Sequence, residues 1–254
     1  MNGRVAAANV ARTLRASGDT RRAAAEKRYL KSEMTHLGVG VPRLRAIVKA
    51  FLREHPEMDR TDLLAIAGDL WSKTVFEQRM AAVEILVLKR DLLRSSDLRA
   101  VERLIRDSGT WALVDTLAST LAGGLVERFP ALTATLDRWA RDDAFWIRRS
   151  ALLALLVPLR RGEGDFKRFG RYADAMLDER EFFIRKAIGW VLRETSKKRP
   201  DIVYAWLEPR AARASGVTVR EAVKYLSEEQ RETVLNGHVT ARGRPSSGIR
   251  RPVR

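Results

Sequence analysis

Three segments of this chain share one pattern, in which aromatic residues and a following basic residue open a long apolar run. The runs begin at Phe76, Phe145 and Phe182, and a less similar copy begins near Thr110. The copies recur about every 35 residues, which is close to the period of proteins built from stacked helix pairs. No segment alternates strictly between apolar and polar residues, as a half-buried strand does. The repeat therefore predicts an all-α fold in which successive helix pairs pack against one another.

These repeats predict an α-solenoid of HEAT-like helical repeats over residues 1–235 with a concave basic groove, because the second helix of each pair lines the groove and opens with basic residues. From about Asn236 the sequence is rich in Gly, Pro and Arg and contains no acidic residue. We predict a flexible basic tail over residues 236–254, which either attracts phosphate groups or has no function. The sequence predicts helices over about 5–17, 20–36, 41–54, 60–69, 73–90, 96–107, 110–127, 130–140, 144–159, 165–177, 180–196, 200–208 and 217–234.

The composition narrows the possible partners. Lys and Arg number 48 against 32 Asp and Glu, which gives a formal net charge of +16. Such a charge opposes compaction unless an anion shares the surface, and nucleic acid is the natural partner. The arginines recur in nearly every repeat instead of clustering on one amphipathic helix, which disfavours a membrane surface.

The composition also excludes several chemistries. The chain has no cysteine, which rules out disulfides, thiolate zinc sites and cysteine nucleophiles. The three histidines lie far apart in sequence, which disfavours a histidine metal site or a Ser-His-Asp triad. We therefore expect neither a metal nor a cofactor. No apolar run approaches the length of a membrane span, and the N-terminus lacks the pattern of a signal peptide, so we expect a cytoplasmic protein.

One arginine recurs in register near the start of each clear repeat, as Arg79, Arg148 and Arg185. The following residue is Met80, Arg149 or Lys186. A row of guanidinium groups at the repeat spacing fits a duplex backbone, with each fork donating to phosphate oxygens. The alternative is that these arginines pair with acids of neighbouring repeats. We favour that alternative for Arg79, whose copy contains Glu77 and Glu84, and we favour DNA contacts for Arg148 and Arg149.

The weakest copy carries the residues best suited to chemistry. Trp111 and Asp115 are four residues apart, so on a helix they share one face. Trp190 has the corresponding position in a later copy, with Arg193 about one turn beyond it. If these faces are concave, two indoles and one carboxylate converge there. Core packing is the ordinary role of a tryptophan in a helical repeat. We assign that role to the other four, which are Trp71, Trp139, Trp146 and Trp206.

The chain resembles the AlkD-like bacterial DNA alkylation-repair glycosylases from about residue 23 to residue 200. The matching segments are Tyr29–Lys31, His36–Val39, Trp111–Asp115, Trp146–Arg149 and Phe182–Glu194. The resemblance implies a HEAT-like solenoid that removes N3- and N7-alkylated purines from duplex DNA without a base-flipping pocket, a mode that would also admit bulky adducts. It places Trp111, Asp115 and Trp190 on catalytic positions and Arg149 on the functional arginine, with Arg148 as the alternative. Family members often carry a second tryptophan where this chain has Thr110 and Ala112.

We expect further DNA contacts from Tyr29, Lys31, Arg148, Arg185, Lys186 and Arg193. The partner is then double-stranded DNA that contains alkylated purines, and we expect a monomer that associates with the nucleoid through this DNA. Two other functions stay open. One is a non-catalytic HEAT-repeat protein that binds damaged or structured DNA, and the other is a protein-binding scaffold, which the net charge disfavours.

The chemistry of alkylated purines agrees with these residues. An N3- or N7-alkylated purine is already cationic, so its departure needs no general acid. As the glycosidic bond lengthens, the deoxyribose becomes oxocarbenium-like, and the Asp115 carboxylate can stabilise that charge and orient a water. A charge pair at about 4 Å with an effective dielectric of about 20 contributes roughly 4 kcal/mol, about a thousandfold in rate. Tryptophan faces add cation–π attraction of about 0.5 to 2 kcal/mol each. Together these residues select for cationic lesions.

Overall fold

A computed structural model describes residues 2–242, and this part of the chain is helical, with one isolated backbone bridge between Thr35 and Val75 and no strand. The predicted all-α helical-repeat fold is confirmed. The helices α1 to α16 are Gly3–Ala16, Thr20–Leu30, Val41–Glu54, Arg60–Trp71, Phe76–Leu88, Leu98–Asp107, Trp111–Thr116, Gly123–Arg128, Thr133–Trp139, Phe145–Leu153, Leu156–Arg160, Phe166–Ala175, Phe182–Ser196, Pro200–Leu207, Gly216–Ala222 and Glu228–Arg242. Among these described helices, none has the length and apolarity to cross a membrane. Backbone contacts divide the chain after Ser150 into two compact units.

The helix predicted over residues 20–36 ends at Leu30. Lys31 adopts the left-handed conformation with φ of 48°, and its N–H bonds back to the carbonyl of Arg28. Such a residue closes the last turn of a helix without continuing it. The predicted helix over 20–36 is therefore too long, and Lys31 lies at a helix end.

The helix predicted over residues 217–234 is two helices. Leu226 is extended and separates α15 from α16. Ser227 and Gln230 then form a capping box, in which each side chain accepts the backbone N–H of the other residue. Helix α16 continues to Arg242, so the first residues of the predicted tail are helical, and residues 243–254 lie outside the described residues.

Side chains of the first unit connect residues that are one repeat apart. The indole Nε1 of Trp71 donates to Asp107 at 2.8 Å, and that of Trp139 donates to Glu102 at 2.9 Å. Both tryptophans are buried, as predicted for core residues. Trp146 and Trp206, which were assigned to the core on the same grounds, are partly exposed. These two hydrogen bonds show that polar contacts, as well as apolar packing, join helices that are one repeat apart in this unit.

Glu102 is the centre of one of these polar clusters. Its carboxylate accepts hydrogen bonds from Arg106, Arg138 and Trp139. Burial raises the pKa of Glu102, but the hydrogen bonds from Arg138, Arg106 and Trp139 lower it by more, to about 2. The lowered pKa means that the folded state binds the ionised form more tightly than the unfolded state does, so the cluster stabilises the fold above the unfolded pKa.

Replacing Glu102 by Gln is expected to lower the free energy of unfolding by about 2 kcal/mol at pH 7. The difference from wild type should shrink as the pH falls from about 4.5 towards 2, because the wild-type carboxylate is protonated first in the unfolded state and only near pH 2 in the folded state. Urea unfolding at pH 7, 4 and 2.5 measures this, with the exposed Glu33→Gln as the matched control. An equal loss at every pH would show that Glu102 acts through packing and not through its charge.

In the second unit a glycine allows two helices to approach closely. A Cβ on Gly189 would lie 2.9 Å from the Cβ of Glu221 and 3.0 Å from the carbonyl oxygen of Thr218. Any side chain at this position would push α13 away from α15. Gly189, which directly precedes Trp190 in the sequence, therefore allows Glu221 to lie beside α13.

Candidate active site

The structure places Asp115 and Arg149 in a bidentate ion pair. Arg149 Nε donates to Oδ1 of Asp115 at 2.8 Å, and Nη2 donates to Oδ2 at 2.9 Å. The Arg149 side chain is 3% exposed and that of Asp115 is 17% exposed. The guanidinium is therefore more deeply buried than the carboxylate, and part of the Asp115 side chain remains accessible. A bidentate ion pair of this kind fixes both side chains in one orientation.

Local backbone geometry sets the position of Asp115. Gly109 has φ of 62°, a left-handed conformation that favours glycine, and Thr110 is extended before α7 begins at Trp111. Directly after α7, residues Leu117–Ala122 form a π-helical turn, and the Ser119 hydroxyl donates to the backbone carbonyl of Asp115 at 2.6 Å. Single π-turns are found preferentially at functional sites. No feature of the sequence pattern predicts this turn.

Trp111 is partly exposed and lies beside a predicted DNA-contacting residue. The ring of Tyr29 meets it edge to face, with ring centroids 6.1 Å apart and planes at 82°. Tyr29 itself is 74% exposed, which is unusual for an aromatic side chain. Lys31, two residues further on, is also exposed. The first unit thus brings together four of the predicted site residues as two neighbouring pairs, Tyr29 with Trp111 and Asp115 with Arg149.

The three register arginines share a structural contact. Each guanidinium donates to the backbone carbonyl six residues earlier: Arg79 to Lys73, Arg148 to Asp142 and Arg185 to Glu179. This hydrogen bond fixes the turn before the second helix of each repeat. This contact accounts for one hydrogen bond of each guanidinium. The proposed DNA contacts of Arg148 and Arg185 remain predictions.

Arg79 has the structural role that we favoured for it. It is 7% exposed, forms an ion pair with Asp107 at 2.9 Å and lies over the ring of Trp71 at 4.9 Å. Its partner Asp107 is an acid of the next repeat, as the alternative favoured for Arg79 requires. Glu77 and Glu84 of its own copy are engaged elsewhere, Glu77 with loop N–H groups and Glu84 with Arg45.

Trp190, Lys186 and Arg193 lie on α13 in the second unit. Lys186 Nζ contacts Oε1 of Glu221 at 2.8 Å, and Arg193 forms an ion pair with Oε2 of the same residue. Burial raises the pKa of Glu221, but hydrogen bonds from Lys186 and Lys224 and the charge of Arg193 lower it by more, to about 2. Glu221 was not predicted as a site residue, although it lies one repeat period after Lys186. Trp190 is partly exposed, and its predicted convergence with Trp111 stays a prediction.

One group in the described residues has the spacing of metal ligands. Ligand atoms of Glu26, His36 and Glu77 lie within 4.8 Å of one another. The Glu77 carboxylate already accepts the N–H groups of Leu37, Gly38 and Val39 at 2.6 to 3.2 Å. Burial lowers the pKa of His36, so its ring is neutral at pH 7. The loop contacts of Glu77 account for its position without an ion.

The chain belongs to the family of DNA alkylation repair enzymes, because the family model of that description matches residues 10–226. Among solved structures it is similar to a predicted DNA alkylation repair enzyme from Enterococcus faecalis, at 24% identity and a TM-score of 0.76 over 84% of this chain and 98% of that chain. It is also similar to AlkD2 from Streptococcus mutans, at 19% identity and a TM-score of 0.57 over 74% and 91% of the two chains. A search of curated proteins finds no match. The family match confirms the resemblance seen in the sequence, and the structures confirm the helical-repeat fold.

Proposed function

We propose that this protein is a DNA glycosylase that hydrolyses the N-glycosidic bond of cationic N3- and N7-alkylated purines in duplex DNA. The observation that carries the proposal is the Asp115 carboxylate, which is held at its buried side by Arg149 and remains accessible on the other. The family match supports an enzyme of DNA alkylation repair. Trp111, one turn before Asp115 on the same helix, adds an aromatic face to the same region.

In the proposed reaction the glycosidic electron pair leaves with the alkylated base and neutralises its positive charge. The deoxyribose is left oxocarbenium-like, with positive charge spread over C1′ and the ring oxygen. The Asp115 carboxylate stabilises that charge and accepts a hydrogen bond from a water. The water oxygen then bonds to C1′, and its proton passes to Asp115 or to solvent. No proton needs to be delivered to the base, so no general acid is required.

Arg149 is the positioning residue in this scheme. A carboxylate has about four lone-pair sites, and the bidentate pair uses one on each oxygen. The other sites remain for a water and for the sugar. Because Arg149 is more deeply buried than Asp115, the negative end of the pair faces the accessible side. The ion pair therefore fixes the carboxylate without covering its reactive side.

The other predicted residues would hold the duplex and the lesion. Tyr29 and Lys31 extend the exposed surface next to Trp111. Trp190 lies on α13 of the second unit, and its role as a lesion contact rests on the family resemblance. Arg148, Arg185, Lys186 and Arg193 would contact phosphates. Removal of one phosphate contact typically weakens binding to all sequences and lowers the salt dependence, which separates these roles from that of Asp115.

The test of the proposed function compares cationic and neutral lesions in one duplex sequence. Under single-turnover conditions we expect release of N7-methylguanine, with release of uracil and hypoxanthine more than tenfold slower. The reason is that a neutral base needs a general acid, and none lies beside Asp115 in the described contacts. Chromatography of the released bases measures the release rates of the three lesions. Binding of the alkylated duplex without base release would favour the non-catalytic alternative, and efficient uracil release would contradict the proposed mechanism.

A further inference from the structure

A groove of about 610 Å³ in the first unit lies outside the candidate active site. It runs along α1 and the segment that connects α4 to α5, and its lining includes Arg4, Arg15, Lys73 and Gln78. Asp69 is the acid among its lining residues. The groove therefore carries a net positive charge contributed by three separate side chains.

Gln78 is an exception to the repeat pattern. In the register set by Arg79, Arg148 and Arg185, the preceding residue is Ile147 or Ile184 in the later copies, and both are fully buried. Gln78 is only 1% exposed, and among the described residues its Nε2 has no hydrogen-bond partner. An amide N–H buried without a partner costs stability, so a polar residue at an apolar position needs a reason. A ligand that accepts a hydrogen bond in the groove would supply one.

The shape of α1 leaves room for such a ligand. Arg4, Ala8, Ala11 and Arg15 follow one another at spacings of four, three and four residues, so they lie on one face of the helix. The alanines leave open space between the two arginines. Lys73 lines the same groove from the connecting segment, where its carbonyl is fixed by Arg79. Two guanidinium groups and one ammonium group thus line the same groove as a buried neutral donor.

We propose that this groove binds a phosphate group, with the Gln78 amide donating a hydrogen bond and Arg4, Arg15 and Lys73 supplying the charge. Arginine forks and lysine are the side chains that proteins use for phosphate. The phosphate has two possible sources, a free phosphate ion or a phosphodiester of bound DNA. The inference goes beyond the proposed function because it requires no base excision.

The first experiment measures the melting temperature in inorganic phosphate and in chloride at equal ionic strength. Wild type is expected to gain several degrees in phosphate, by mass action of ligand binding to the folded state. Gln78→Met keeps the side-chain length and removes the unpartnered amide. We expect it to melt a few degrees higher than wild type in chloride and to lose the response to phosphate. An equal phosphate response in wild type and Gln78→Met would overturn the proposal.

A second variant tests the charged side chains that line the groove. Its interpretation does not depend on how buried side chains repack. Arg15→Gln removes a lining cation, and Arg12→Gln removes an exposed arginine from another position of the same helix. We expect the apparent Kd for phosphate to rise at least fivefold in Arg15→Gln and to stay unchanged in Arg12→Gln. Equal effects of the two variants would show that the response follows net charge alone, and the groove would then not be a site.

Duplex binding measured across a salt series distinguishes the two sources of the phosphate, a free phosphate ion and a phosphodiester of bound DNA. If the groove holds a DNA phosphodiester, Arg15→Gln lowers the slope of log K against log salt by about one, and Arg12→Gln leaves it unchanged. If the slope is unchanged in both variants while phosphate binding is lost in Arg15→Gln, the groove takes a free phosphate. Both results support the site, and neither depends on glycosylase activity.

Discussion

Asp115→Asn is expected to slow release of N7-methylguanine about a thousandfold and to leave the affinity for the alkylated duplex within a few fold. The substitution keeps the shape and removes the negative charge, and a charge pair at about 4 Å contributes roughly 4 kcal/mol at an effective dielectric of about 20. Binding should persist because duplex affinity comes mainly from cationic contacts to phosphates. Single-turnover rates and a duplex-binding titration on the same samples measure both quantities.

The matched control for this variant is Asp91→Asn, which makes the same chemical change at an exposed position outside the candidate site. We expect wild-type rates and affinity for it. Circular dichroism and urea unfolding establish that Asp115→Asn is folded. Base release by folded Asp115→Asn within tenfold of wild type would contradict the role given to the carboxylate, and the proposed mechanism would fail.

The repeat, the helix class and the placement of Trp111 and Asp115 on one helix were predictable from the sequence. Each depends on periodicity or on i, i+4 spacing, which residue types reveal directly. The resemblance to the alkylation-repair family, confirmed by the family match, also came from short motifs. What those motifs left open was whether Arg148 or Arg149 is the functional arginine. In the structure Arg149 contacts Asp115, and Arg148 donates to backbone carbonyls.

Contacts between repeats were the least predictable part of the structure. The acid that pairs with Arg79 is Asp107, and the acid that pairs with Lys186 is Glu221, each about one repeat away in sequence. The sequence allows pairing between neighbouring repeats but does not identify the acid, because the rotation between successive helix pairs is not visible in the sequence. The same reason applies to Gln78. Its departure from the isoleucine of the other copies was visible, but its burial without a partner required the structure.

Helix ends were missed where a single residue decides them. Lys31 closes α2 in a left-handed conformation, which periodicity does not reveal for a residue other than glycine or asparagine. The break before α16 did have a sequence signal, since Ser227 and Gln230 have the spacing of a capping box. Apolar periodicity on both sides of that box concealed the break.

Arg149→Met is the second change with a large expected effect, and it separates stability from catalysis. Removal of the guanidinium leaves the Asp115 carboxylate largely buried and without its bidentate partner. Loss of one partner of a fully buried pair costs about 3 to 5 kcal/mol, and the partial exposure of Asp115 reduces this to about 2 to 3 kcal/mol. We expect that decrease in the free energy of unfolding, measured with urea at pH 7. Arg148→Met is the control, with an expected loss of about 1 kcal/mol from its hydrogen bonds to backbone carbonyls.

The double variant Asp115→Asn with Arg149→Met completes the test. Because it no longer buries an unpaired charge, it should be about 1 to 2 kcal/mol more stable than Arg149→Met alone, and the two effects should be non-additive. In base release, Arg149→Met should be slower than wild type by about ten- to a hundredfold at saturating duplex, because the carboxylate keeps its charge and loses its orientation. Additive stabilities would mean that the pair is not energetically coupled. A wild-type rate in folded Arg149→Met would show that the carboxylate needs no positioning, and Asp115 would then act through its charge alone.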